Sequence, residues 1–79
     1  MKLPVIRNLV KTHTLDALKA AEDAILNEQA PEITIEGDDE GEQLTHVIGA
    51  IEILQHIADG MDEKTALRTF SQRVRNSIS

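Results

Sequence analysis

The sequence predicts an all-α fold, a small helical bundle of three main helices plus a short N-terminal one. Three observations carry this expectation. Apolar residues recur at spacings of three and four through most of the chain, which is the helical period. Residues suited to starting and stopping helices stand at the ends of those stretches. Only one short run, Glu32–Glu36, alternates polar and apolar residues as a strand would. With 79 residues, one domain spanning 1–79 is expected. A domain of that size buries only about 60% of the surface its unfolded chain would expose. There is no cysteine, tryptophan or tyrosine, and Phe70 is the only aromatic residue, so the core must be aliphatic.

The first element, LPVIRNLVK, reads as a short helix with Pro4 near its first position, where a missing N–H costs nothing. Leu3, Ile6 and Val10 share a face, with Val5 and Leu9 beside it. The β-branched content leaves an edge strand as the alternative. Thr14 then suits the N-cap of a second helix, with Asp16 in the first turn, where negative charge is favoured. Leu15, Leu18, Ala21 and Ile25 would line its buried face. This helix should end near Leu26 or Asn27, with Glu28, Gln29 and Ala30 leading to Pro31, which stops it. The segment PEITIEGDDEG reads as a loop that tucks Ile33 and Ile35 against the helices, with a single short strand as the alternative. Gly37 and Gly41 would give the turn its backbone freedom.

The central element is the helix at about 40–59, EGEQLTHVIGAIEILQHIAD, capped by Asp38 or Asp39. Leu44, Val47, Ile48, Ile51, Leu54 and Ala58 form one apolar stripe. Ala50, Ile53 and Ile57 form a second, with His46 at its edge. A helix apolar on two sides needs covering on two sides. The thin core of a small chain makes a second subunit the easiest cover, so a homodimer is expected, with Ala50, Ile53 and Ile57 at the interface. Gly60 suits a left-handed C-cap, and Met61 the hydrophobic contact just beyond it. Asp62 would cap the last helix. Ala66, Leu67, Phe70, Val74 and Ile78 would make its apolar face, and Lys64, Arg68 and Arg75 a basic stripe. Ser71 and Ser77 read as solvent-facing or packing residues.

The formal net charge of −6 is unevenly laid out. Residues 1–19 carry a balance of +3, residues 20–61 hold eleven acidic residues and no lysine or arginine, and the remainder carries +2. Such a distribution suits a soluble protein whose basic ends fold back onto an acidic centre, or a docking surface for a basic protein partner. A nucleic-acid binder would be more basic. No run approaches the eighteen or so apolar residues of a membrane span, no targeting segment is visible, and the lack of cysteine fits a reducing compartment. A cytoplasmic location is therefore expected, with no membrane partner.

The densest polar group is Glu36, Asp38, Asp39, Glu40, Glu42 and His46. Glu42 and His46 share a helical face, so they and the aspartates could ligate a divalent metal or relay a proton. The competing account is structural: carboxylates at a helix start favour the dipole, and a nearby histidine hydrogen-bonds. A calcium loop aligned on Gly41 fails, because the position requiring a bidentate glutamate is Val47. His46 and His56 lie about 80° apart around the helix axis, and His13 falls in a loop. No nucleophile turn or phosphate loop is present, and no catalytic residue or cofactor is assigned.

The stretches DDEGEQLTHVIGAIEIL (38–54) and KTALRTFSQRVRNSIS (64–79), with the opening MKLPVIRNLV, resemble a small family of uncharacterised bacterial proteins of the Bacteroidetes type. The resemblance spans nearly the whole chain. It implies a stand-alone domain and carries no activity. It is similar around Glu40, Gly41, Glu42, Gln43, Thr45 and His46, and again around Gln72, Arg73 and Arg75. Where relatives have a tryptophan in the long helix, this chain has Glu52 or Ile53, which argues against a fixed aromatic pocket.

The function expected from the sequence is that of a small acidic, non-catalytic interaction or adaptor protein. The alternatives are a divalent-metal protein using Asp38, Asp39, Glu40, Glu42 and His46, or a nucleic-acid accessory protein using Lys64, Arg68 and Arg75.

Overall fold

A computed structural model describes residues 2–78, with side chains described for residues 2–76. Among the described residues there are four helices: α1 Leu3–Thr12, α2 Leu15–Leu26, α3 Glu40–Ala58 and α4 Glu63–Ile78. Among the described residues none lies in a strand. The Ser77 side chain and the Ile78 contribution to the α4 face lie outside the described side chains.

The helix boundaries follow from local chemistry. Pro4 stands at the start of α1, as its lack of an N–H allows. Thr14 caps α2, its hydroxyl accepting from the Ala17 N–H at 3.2 Å. Asp39 caps α3, accepting from the Glu42 N–H at 2.8 Å. The Asp62 carboxylate accepts from the Thr65 N–H at 3.3 Å at the start of α4.

Two helices end in the same way. At the close of α3 the Met61 N–H donates to the His56 carbonyl and the Gly60 N–H to the Ile57 carbonyl, both at 3.0 Å. This is a Schellman turn, with Gly60 at φ +107° in the left-handed position. The close of α2 repeats it: Gln29 N–H donates to Ala24 O at 2.8 Å, and Glu28 N–H to Ile25 O at 3.0 Å. Here Glu28, at φ +59°, occupies the place of the glycine. The turn, not Pro31, stops α2. A side chain in that conformation carries a steric cost of roughly 1–2 kcal/mol. Glu28→Gly is therefore expected to raise the unfolding free energy by about 0.5–1 kcal/mol, less than the full cost because glycine loosens the unfolded chain. Urea denaturation with an unchanged m-value checks this.

α3 is the hub. It packs against each of α1, α2 and α4. The core holds Ile6, Leu9 and Val10 of α1, Leu18, Ala21 and Ile25 of α2, Ala66 and Phe70 of α4, and Ile35 from the long connection. Ile33 packs half-buried beside Ile35, so the 31–39 segment is the tucked loop, not a strand. Gly49 lets α1 and α4 meet over α3: a Cβ there would stand 2.8 Å from Phe70 Cζ and 3.1 Å from Ile6 Cδ1. Gly37 serves close approach rather than turn freedom, since a Cβ there would lie 2.8 Å from the Gln43 backbone nitrogen.

The two apolar sides of α3 are covered to different extents. Ala50 and Ile53 are fully buried within the chain, and Ile57 is half-buried. These are the three residues predicted to stand at a subunit interface. Ala50 and Ile53 are thus covered by their own chain, while Ile57 stays partly open. In the other stripe Val47 and Ile51 are buried, Leu44 and Leu54 half-buried, and Ile48 is 47% exposed. Leu3 too is exposed, at 42%, rather than part of the α1 core face.

Candidate functional site

The acidic segment is built around one histidine. His46 is fully buried on α3 and touches backbone at both ring nitrogens. Nε2 accepts from the Lys2 N–H at 2.9 Å, and Nδ1 lies 2.7 Å from the Glu36 carbonyl oxygen. A carbonyl only accepts, so the ring hydrogen sits on Nδ1 and Nε2 keeps its lone pair for Lys2. One side chain thus ties the first residue of the α1 entry and the middle of the loop to the central helix. Both ring nitrogens face backbone groups in this arrangement.

The carboxylates nearby are used in capping. Glu42 Oε1 accepts from the Asp38 N–H at 2.9 Å while Asp39 accepts from the Glu42 N–H. This is a close relative of the capping box, with the reach back going one residue beyond the cap. Asp38, Asp39 and Glu40 are exposed. Among the described residues no group of three or more His, Asp or Glu side chains is arranged to hold a metal ion. The sequence brought Glu42 and His46 to one helical face, but the two side chains serve different backbone partners.

Two carboxyl groups carry a pH consequence. The Asp38 N–H holds the Glu42 carboxyl below its usual range, against some desolvation. Hydrogen bonds from the Thr65 side chain and then the Thr65 N–H do the same for Asp62. Both groups are depressed in the folded chain. Their contribution is therefore complete above the unfolded carboxylate pKa of about 4 and is lost as pH falls through the lower folded values. Acid also relieves repulsion within the 32–42 segment, so the comparison must be differential. The double variant E42Q/D62N is expected to lose less stability between neutral pH and about pH 3 than the parent does. Urea midpoints at the two pH values check it, and an equal loss in both proteins would refute the assignment.

The basic residues occupy another part of the molecule. Lys64, Arg68 and Arg75 are exposed on α4. They have no ion partner among the described residues, and in particular do not fold back onto the acidic loop. Arg73 instead pairs with Glu52 of α3, a contact that sequence spacing did not reveal. The signal for it was faint: Glu52 is the single acidic residue inside the apolar body of α3.

The sequence also gave no sign of a groove of about 460 Å³ between α1 and α4. Leu3, Pro4 and Leu67 give it apolar surface, and Arg7, Asn8 and Lys11 line its α1 side. A second recess of about 500 Å³ lies under the long connection, between Ile25, Ile33 and Ile35, with Glu28, Glu32 and Glu40 around it. Among the described residues no helix is long and apolar enough to cross a membrane.

Comparison with curated proteins finds no match, and comparison with solved structures finds none. Residues 1–79 match the profile of a family of unknown function, DUF6952, which agrees with the resemblance to a small uncharacterised family, and the chain belongs to DUF6952.

Proposed function

We propose that this chain is a non-catalytic interaction module, which holds a partner protein by charge and apolar contact rather than transforming a substrate. The separation of charge over the fold carries this reading. Seven of the eight basic residues stand at Lys2, on α1 or on α4, while the eleven acidic residues of 20–61 belong to α2, α3 and the connections around them. A polar cluster built for chemistry would converge on a recess. Here Glu42 and His46 are bonded to backbone groups, Glu32 and Glu40 stand exposed at the rim of the second recess, and Glu36, Asp38 and Asp39 are exposed. Charged surfaces of this kind steer and orient association more than they hold it.

Affinity capture from an extract of the source cells, at about 50 mM and about 500 mM salt, tests the proposal. A discrete protein should be retained at low salt and released at high salt. Retention indifferent to salt, or no retention above blank resin, would overturn it. Sedimentation of the purified 8.7 kDa chain shows in parallel whether the partner is a second copy.

A further inference from the structure

We infer that the α1–α4 groove is the seat of an acidic amphipathic helix supplied by a partner protein, an assignment that rests on the interaction-module reading above. Leu3 is 42% exposed although the other large apolar residues of α1 are covered, and it opens onto the groove with Pro4 and Leu67. The groove is about 460 Å³, room for a few aliphatic side chains rather than a small polar substrate. Arg7 and Lys11 are one helical turn apart along its edge. Both are exposed, and neither has an ion partner among the described residues of a chain with fourteen carboxyl side chains. On α4, Lys64 sits one turn before Leu67 on the same side of the helix. The local charge is therefore opposite in sign to the net charge of −6.

These features describe the occupant. From Leu3 to Lys11 the α1 wall runs about 12 Å, so it meets two to three turns of a helix. The occupant needs Leu- or Ile-sized residues at helical spacing for the floor, in the manner of helix-in-groove recognition. It needs carboxylates beside them, spaced by a turn to meet Arg7 and Lys11. The aliphatic stems of those two cations can extend the apolar wall while their heads meet the carboxylates. Nucleic acid fits less well. Base stacking needs surface aromatics, and the one aromatic residue, Phe70, is only 5% exposed.

The test is an anisotropy titration of the full chain against a labelled helical peptide with leucines at helical spacing flanked by glutamates. Saturable binding that weakens with salt is expected, and a lysine-for-glutamate version of the peptide should not bind. R7E/K11E should lose about tenfold or more in affinity, since both rim charges are reversed. The charge-matched control K19E/R75E, outside the groove, should stay within about threefold. All four positions are exposed, so the folds should match by circular dichroism. Absence of saturable binding, equal loss in the two variants, or tighter binding of a short duplex or of anionic vesicles would overturn the assignment. If capture in cell extract stays salt-sensitive while R7E/K11E leaves it unchanged, the groove assignment alone falls and the interaction module stands.

Discussion

Truncating Ile53 to alanine is expected to lower the unfolding free energy by about 2–5 kcal/mol, the range for removing a buried isoleucine side chain from a close-packed core. A chain of 79 residues has a total stability of roughly 4–12 kcal/mol. The variant should thus lose a large share of it. Ile53 is among the largest fully buried side chains and lies on the side of α3 where the other helices converge, so the cavity has little room to collapse. The location of the loss is as informative as its size. Because Ile53 is covered by its own chain, the urea midpoint should shift by the same amount at low and high protein concentration. A shift that grew on dilution would instead place Ile53 between subunits. Ile48→Ala, on the exposed side of the same helix, serves as the contrast and should change stability by no more than about 0.5 kcal/mol.

Replacing His46 by leucine should cost about 2–4 kcal/mol by a different route. Leucine fills much of the space but makes no hydrogen bond. It strands the Lys2 N–H and the Glu36 carbonyl, each worth roughly 1–3 kcal/mol when left unmet in a partly buried setting. Water reaching either group would soften the loss toward the lower end. Hydrogen exchange localises the damage. Protection should fall at Lys2 and through the first turn of α1, and at the loop residues leading into α3, well before it falls at Ile51 or Ile53. Uniform loss across the chain would show that His46 acts as core filling rather than as a tie between segments. A divalent cation should leave the midpoints of both proteins unchanged, since both ring nitrogens are engaged with the backbone.

The helices and their ends were legible because they are short-range chemistry. Thr14, Asp62 and Gly60 each announce a cap and each is found doing so, while of the two candidates Asp38 and Asp39 it is Asp39 that caps α3. The all-α class and the central rank of α3 followed from period and apolar content. The inner side of α3 did not. Apolar residues cover such a wide arc of this helix that periodicity alone leaves its orientation open, and the arrival of three partners decides it. Ile48 and Ile53 look alike in the sequence, yet one is exposed and the other sealed. Glu28 was missed for a related reason: nothing about a glutamate signals left-handed backbone, and only the hydrogen bonds to Ala24 and Ile25 reveal it. The role of His46 was hidden because its partners are backbone groups 44 and 10 residues away, which carry no side-chain signature. The groove needs α1 and α4 side by side, a relation between the two ends of the chain that no local pattern encodes.

The hub arrangement has a consequence for how the chain folds as it is made. α1 and α2 leave the ribosome first, but their apolar faces meet chiefly α3, which is complete only at Ala58. Until then they are short, lightly bound helices with little to pack on, and nascent chains ending before that residue should be readily cut by protease. Resistance should appear abruptly once the third helix clears the exit tunnel, with α4 then closing over a nucleus that is already formed.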